Sequence, residues 1–427
     1  MMKNVGVAIL GLGVVGSGVY EIIESHKENY KISQDINLEV VKVLDRTKEK
    51  AYKLGITDEK ITSSIDDICN DPNVSIVVEV MGGCTAAKDY VLKALSSKKS
   101  VVTSNKELYC KYGYLLEAEA KKNGVGLYYE ATVAGGIPII RTLLDNLQGN
   151  NIKSILGIIN GTTNYILSKM MNDGITYDDA LSQAQMLGYA EKDPTSDVDG
   201  FDSTYKLSIL SSLAFKTKIP YTKIYREGIR NISLKDINYG LKLGYTLKLL
   251  AIGKNTEKGI EVRVHPTFIR NSHPLATVND SYNAIFVTGD SVEDVMLYGR
   301  GAGKLPTGSA VVGDILYAAK HENSIQYSPF ENTALEDDRI HFIDNFESAY
   351  YMRLLVNDTI GVLAKITSIF SNYNISVAEL IQYENQPSGV PLIIVTHVTH
   401  EYSVRNAVRE INELKEYGYV EAVIRVN

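Results

Sequence analysis

The stretch VAILGLGVVGSGVYEII, residues 7–23, constrains the fold of this chain more than any other part of it. An apolar run, VGVAIL (5–10), leads into Gly11, Gly13 and Gly16 in the spacing G-x-G-x-x-G, and helical periodicity follows. Between a strand and a helix, such a loop turns tightly at its first glycine and brings backbone against a phosphate at its second. The third glycine lets the helix pack closely on the strand, and the helix N-terminus favours an anion. Leu12, Val14 and Val15 fill the intervening positions of the loop, and Gly18 extends its small-residue face. The stretch predicts a Rossmann-type dinucleotide-binding domain.

The rest of the first third supports this. LEVVKVL (38–44), SIVVEV (75–80) and SVVT (100–103) read as strands, separated by helical stretches at 14–26, 47–54 and 88–98. That alternation marks a parallel sheet. The second strand runs into LDRTKEK (44–50), where the chain should meet the adenosine ribose. Asp45 suits a free 2′-hydroxyl and hence NAD, whereas Arg46, Lys48 and Lys50 suit the 2′-phosphate of NADP. The two signals oppose each other.

At 427 residues the chain is long enough for two or three domains. The net charge of −7 argues against a general nucleic-acid or anionic-membrane surface. Three cysteines without metal-like spacing fit a reducing cytoplasm, and neither a signal-peptide pattern nor a long apolar span is present. A cytoplasmic protein is expected.

Beyond residue 130 the texture changes. A strand at 152–159 precedes helices near 163–172, 177–187 and 202–215, and strands follow at 246–253, 260–269 and 283–289. GRGAGKLPTGSAVVGDILYAAKH (299–321) is a glycine-rich turn entering a helix. The last stretch reads βαββαβ, a ferredoxin-like unit. The expected plan is α/β, with a dinucleotide-binding domain at 1–130 that regains about 300–322. An α+β domain with a mixed sheet at 131–299 would bind substrate and dimerise. A linker at 323–348 and the ferredoxin-like domain at 349–427 complete the plan.

GYAEKDPTSDVDGFDSTYKLSIL, residues 188–210, gathers Glu191, Asp193, Asp197, Asp199 and Asp202 ahead of Lys206. On a helix, Lys206 would share the apolar face of Ile209, Leu210 and Leu213, where lysine rarely sits unpaired. Asp202, one turn earlier, is within reach of an ion pair. One reading is a plain helix pair with the lysine stem lying over apolar neighbours. The other is a carboxylate-ringed cleft in which Lys206 gives or takes a proton and the acids bind a substrate ammonium.

The chain closely resembles the homoserine dehydrogenases in GLGVVGSG (11–18), TSNKELY (103–109), YEATVAGGIPII (129–140) and GIINGTTNYIL (157–167). LGYAEKDPTSDVDGFDSTYKL (187–207) and GRGAGKLPTGSAVVGDI (299–315) match as well. The resemblance implies interconversion of L-homoserine and L-aspartate 4-semialdehyde with NAD or NADP, in threonine, methionine and isoleucine biosynthesis. It implies Lys206 and Lys106 as catalytic residues, with Glu191, Asp202 and Asp197 binding substrate. Asn160 and Thr162 would offer polar groups on the cleft floor. Gly301 and Gly303 would return against the nicotinamide beside Lys106. Glu130, with the carbonyls of Val133, Gly135 and Ile137, would form a site for Na+ or K+.

Members of the family often carry an Arg-Asp pair at the end of the second strand, where this chain has Leu44-Asp45. The departure favours NAD or dual use. The C-terminal unit resembles an ACT domain, with Asn357, Asp358 and Gly361 in the turn of VNDTIGVLAKITSIF. It implies an amino-acid effector, L-threonine in this pathway, and a homodimer or homotetramer is expected. The chain begins at the glycine-loop strand, so a monofunctional enzyme is expected rather than one fused to an aspartate kinase. Two rivals remain: another amino-acid dehydrogenase of the same fold, and a non-catalytic amino-acid sensor.

Overall fold

The computed structural model describes residues 2–321, 340–384, 387, 389–414 and 416–427. The chain opens with β1 (Lys3–Leu10), α1 (Val14–Gln34), β2 (Ile36–Leu44), α2 (Lys48–Lys53), β3 (Ile61–Thr62) and α3 (Ile65–Cys69). It continues through β4 (Ile76–Glu79), α4 (Thr85–Ser96), β5 (Ser100–Thr103), α5 (Lys106–Asn123) and β6 (Leu127–Tyr128). These strands form a parallel sheet in the order β3-β2-β1-β4-β5-β6. β1 is central and covered on both faces, so Val7, Ala8, Ile9 and Leu10 are all fully buried. Helix α1 runs eight residues past the end read from the sequence. Tyr30 is buried beneath the extra turns, and the helix stops at Asp35, in the left-handed conformation at φ 55°.

The middle of the chain holds α6 (Ile139–Arg141), β7 (Ile152–Ile158), α7 (Gly161–Asp173), α8 (Tyr177–Met186), α9 (Thr195–Val198) and α10 (Phe201–Ala214). Then come β8 (Tyr225–Arg226), α11 (Leu234–Lys242), β9 (Tyr245–Thr256), β10 (Gly259–Arg270), β11 (Tyr282–Gly289), β12 (Asp294–Arg300) and α12 (Lys304–Lys320). Although α12 is remote in sequence, it packs along α1, where Gly18 and Gly308 allow close approach. A Cβ at Gly18 would lie 2.2 Å from the carbonyl oxygen of Lys304.

The C-terminal part comprises β13 (Glu347–Val356), α13 (Val362–Asn372), β14 (Val377–Gln382), β15 (Val390–Thr396), β16 (Thr399–His400), α14 (Glu401–Glu413) and β17 (Gly418–Val426). Its two long helices and the inner face of its sheet share a core around Tyr350, Ile366, Phe370, Ile394 and Val404. This sheet is not separate from the middle one. β17 pairs in parallel with β10, matching Thr267 to Arg425 and Phe268 to Val426, and a single sheet runs β12-β11-β7-β9-β10-β17-β13-β15-β14.

Of the stretch expected as a linker, 323–339 lies outside the described residues; beyond it Phe342 bridges to Ile260, and Glu347 opens β13. The longest elements outside the patterns read from the sequence are α5, α11 and β12; the short β3, α3, β6, α6, α9 and β8 lie outside them as well. Among the described residues, no helix is long and apolar enough to cross a membrane.

Candidate active site

Helix α10 is buried on nearly every side, against α5, β9 and β10. The inward placement of Lys206 therefore does not come from one apolar face, because polar and apolar positions of this helix are buried alike. Such a lysine needs partners, and it has them. Its Nζ lies 2.7 Å from Asp202 Oδ2, one turn back, and donates to the Ile159 carbonyl at 2.7 Å. The other carboxylate oxygen, Asp202 Oδ1, lies 2.9 Å from Lys106 Nζ. Asp202 thus stands between two ammonium groups.

Asn160 completes the cluster. Its Nδ2 donates to Asp202 Oδ2 at 2.8 Å and to Asp197 Oδ1 at 2.7 Å, while its Oδ1 accepts the Thr163 N–H and caps α7. Burial alone would raise the Asp202 carboxyl, but Lys106 and Lys206 outweigh it and hold the group far below the usual carboxylate range. The Asp202 charge raises the Lys106 ammonium above its ordinary value, against the effect of burial. Burial, and then the nearby Asp202, push Asp197 up.

Local structure fixes each member. Lys106 is the first residue of α5, whose N-cap Asn105 accepts the Leu108 N–H at 3.1 Å. Asn105 is itself tied to the Gly83 carbonyl at 2.6 Å and, through its N–H, to Thr103 Oγ1, which donates to the buried Glu79 at 2.6 Å. Asn160 lies two residues past the end of β7. The glycine loop follows β1, so all three enter from the carboxyl ends of strands, where open α/β sheets bind ligands.

These groups line a cleft of about 750 Å³. Val14, Val15, Gly301, Gly303 and Gly135 line it together with Lys106, Lys206, Asn160, Asp197, Asp202 and Glu191. A second hollow of about 470 Å³ shares Val14, Val15, Lys106 and Glu191 with it and runs under Val80–Gly83. The glycine loop fits a pyrophosphate. Gly11 has φ 97°, a Cβ on Gly16 would sit 1.9 Å from the Gly11 carbonyl oxygen, and the space beside Gly13 is open. Leu12 has its side chain buried in the core, and its N–H donates to Asp45 Oδ2 at 2.6 Å.

Asp45 accepts the Thr47 N–H as well, at 2.8 Å, so its carboxylate braces the loop. Arg46 is exposed beside it, and neither residue lines the cleft. Gly303 has φ 128°, and a Cβ on Gly301 would strike Asn283 at 2.1 Å. Glu191 is exposed at the rim.

Glu130 is buried, and its two carboxylate oxygens accept the N–H groups of Ile140 at 2.8 Å and Arg141 at 2.7 Å. Ile137 donates its N–H to the Ala134 carbonyl, and its own carbonyl accepts the Ile139 N–H at 2.8 Å. Two of the four candidate cation ligands thus already hold hydrogen bonds. Burial and the neighbouring Asp314 push Glu130 up to about 7, and burial pushes Asp314 up to about 6 although Arg141 pairs with it at 2.8 Å. Among the described residues no group of three or more His, Cys, Asp or Glu side chains could hold a metal.

The candidate effector turn is on the surface: Asn357 donates to the Glu416 carbonyl at 2.7 Å, Asp358 is exposed, and Gly361 has φ 90°. The carbonyl of Ile159 escaped the sequence reading, because any side chain can present a carbonyl. Ser104 and Arg300 also line the cleft unanticipated, although Arg300 stands inside the GRGAG stretch already singled out.

The model of the family described as homoserine dehydrogenase matches residues 138–316. That of the homoserine dehydrogenase NAD-binding domain matches 11–130, and that of the ACT domain matches 350–416. Homoserine dehydrogenase of Bacillus subtilis is 38% identical over 433 residues, covering 100% of this chain and 99% of its own. A crystal structure of a homoserine dehydrogenase from Thiobacillus denitrificans, 39% identical, superposes with a TM-score of 0.93 over 100% of this chain and 99% of that one. A hyperthermophilic archaeal homoserine dehydrogenase in complex with NADPH, 31% identical, gives 0.64 over 74% of this chain and 98% of its own. With a glycine loop facing a paired-lysine carboxylate site, and with relatives matched end to end, this chain belongs to the NAD(P)-dependent homoserine dehydrogenases that carry a C-terminal ACT domain.

Proposed function

We propose that the chain interconverts L-homoserine and L-aspartate 4-semialdehyde at the Lys106–Asp202–Lys206 cluster. The observation that carries this is the Asp202 carboxylate held between two lysine ammonium groups at 2.9 and 2.7 Å, in a cleft shared with the glycine loop. When bound, the dinucleotide supplies the hydride acceptor or donor. In its amine form Lys206 takes the proton from the substrate 4-hydroxyl during oxidation, in its ammonium form it returns that proton during reduction, and Lys106 holds the oxygen on which charge develops. Asp202 keeps both lysines in place. Glu191 at the rim and Asp197 below it bind the substrate ammonium, and their acidity suits that charge.

Use of both NAD and NADP is the reading that Asp45 and Arg46 support. Asp45 braces the glycine loop, while Arg46 and Lys50 are exposed nearby and Lys48 reaches Asp58 at 3.3 Å. A monovalent cation, Na+ or K+, at Glu130 with the carbonyls of Val133, Gly135 and Ile137 is part of the same proposal. It would balance a buried region where two carboxylates, Glu130 and Asp314, face one guanidinium. L-Threonine acting at Asn357, Asp358 and Gly361 is the proposed regulation, and a homodimer or homotetramer the proposed assembly.

One assay tests these together: initial rates with L-homoserine and NAD+ or NADP+, in potassium, sodium or choline salts, with and without L-threonine. The proposal expects turnover with both cofactors, faster rates with the alkali cations, and inhibition by threonine. A folded protein that turns over homoserine with neither cofactor contradicts it.

A further inference from the structure

The loop that carries Glu191, Asp197 and Asp202 is held from outside by a strap, residues 225–230. Arg226 donates from Nη1 to the Asp199 carbonyl at 2.6 Å and lays its guanidinium on the Phe201 ring, 3.4 Å from the centroid. Arg230 donates from Nε to Asp199 Oδ1 at 2.5 Å and from Nη2 to Thr195 Oγ1 at 3.1 Å. Ile229 donates its N–H to the Val198 carbonyl at 2.8 Å. A Cβ on Gly228 would lie 2.4 Å from that same oxygen, so the strap rests directly on the loop.

The strap is anchored on its other side by β10 and by the C-terminal domain. The Glu227 N–H donates to the Val264 carbonyl at 2.8 Å, seating the strap on β10. Glu227 Oε2 accepts Arg425 Nη1 at 2.5 Å and the Tyr225 hydroxyl at 3.1 Å, and Arg425 Nη2 donates to the Tyr225 oxygen at 2.8 Å. Arg425 lies near the end of β17, is almost wholly buried, and is pinned from behind by Glu401 at 2.7 and 3.1 Å.

We propose that Arg425, carried by the last strand of the ACT domain, is a positioning residue of the substrate site, acting through Glu227 and Tyr225 on the strap that holds Asp199 between Asp197 and Asp202. Asp199 itself turns away from the cleft toward Arg230. Its place in the chain is what matters, since any shift there moves both neighbouring carboxylates. The Glu227 side chain is 41% exposed, so its ion pair contributes little to global stability. Its removal acts on the order of the loop, which local opening reports. The same path gives the ACT domain a mechanical route to the substrate. The inference rests on reading 191–202 as the substrate loop.

The test compares the full-length protein with Glu227→Gln, Arg425→Met, Arg425→Lys and the Gln–Met double variant. Amide exchange of peptides covering 193–204 is measured beside KM and kcat. Glu227→Gln and Arg425→Met are expected to speed exchange there, and to raise KM for L-homoserine, each about fivefold. The dinucleotide KM and kcat should stay within about twofold. The double variant should be no worse than either single one, and Arg425→Lys should recover part of the loss. Unchanged exchange in Glu227→Gln overturns the proposal, as does an equal rise in both KM values. Should Arg425→Met fail to fold, Glu227→Gln decides alone. If the wild type turns over no homoserine, the functional reading fails while the exchange comparison still decides this one.

Discussion

Asp202 is the residue on which the site's charge balance turns. It joins one lysine at the start of α5 to another from its own helix, and Asn160 ties it to a third element. Removing its charge would leave two ammonium groups facing an amide in a buried setting, which is costlier than losing a surface pair. Asp202→Asn is therefore expected to lower stability by about 2–4 kcal/mol at neutral pH, measured by urea unfolding. The sign with pH follows from the depressed carboxyl. Its contribution is fully present above the ordinary carboxylate range and is lost as pH falls through the folded value. The gap between variant and wild type should thus begin to shrink only below about pH 4. A gap that instead closes on raising the pH to neutrality would contradict the assigned role of Asp202. The i, i−4 spacing made this pair legible in the sequence. Lys106 was not legible that way, since 96 residues separate it from Asp202 and only the SNKE motif pointed to it.

At the scale of elements, the glycine-rich strand–loop–helix was readable because its constraints are local. Gly11 is required by its own φ of 97°, Gly16 by the Gly11 carbonyl five residues back, and Gly13 by the open phosphate cradle. Gly18 differs, because what it accommodates is α12, nearly three hundred residues away in sequence. Gly18→Ala should force the two helices apart and cost about 1–3 kcal/mol, with the midpoint of unfolding shifted and its slope unchanged. An unaltered midpoint would mean the α1–α12 contact is looser than described. Helix α10 buries Lys206 with Ile209, Leu210 and Leu213 as its spacing suggests, but its polar residues are buried as well. A helix packed by other elements all round gives no polar side to read, so its serines, its lysine and its leucines are buried alike. α5 was hidden by its tyrosines and charged residues, which blur the apolar stripe, although Asn105 and Gly124 cap it in the ordinary way.

Across the whole molecule, the order of pieces was legible from local pattern, but their joining was not. Nothing in IEVRVHPTFI or VEAVIRV says that they pair in parallel, yet that pairing runs the middle and C-terminal sheets together. Beside it, Arg353 of β13 grips Asp236 of α11 at 2.7 and 3.1 Å, and Tyr351 donates to the same carboxylate at 2.9 Å. The C-terminal domain is thus bonded by backbone and by buried charge to the domain that carries Asp202 and Lys206. All of this serves one chemical claim, that Lys206 moves the proton at the substrate oxygen. The measurement that tests it most directly is kcat for L-homoserine oxidation by Lys206→Met, beside its dissociation constant for the dinucleotide. The account predicts a fall in kcat of about a hundredfold or more with cofactor affinity within about threefold of wild type. A variant that binds cofactor normally and keeps a near-wild-type kcat would contradict it.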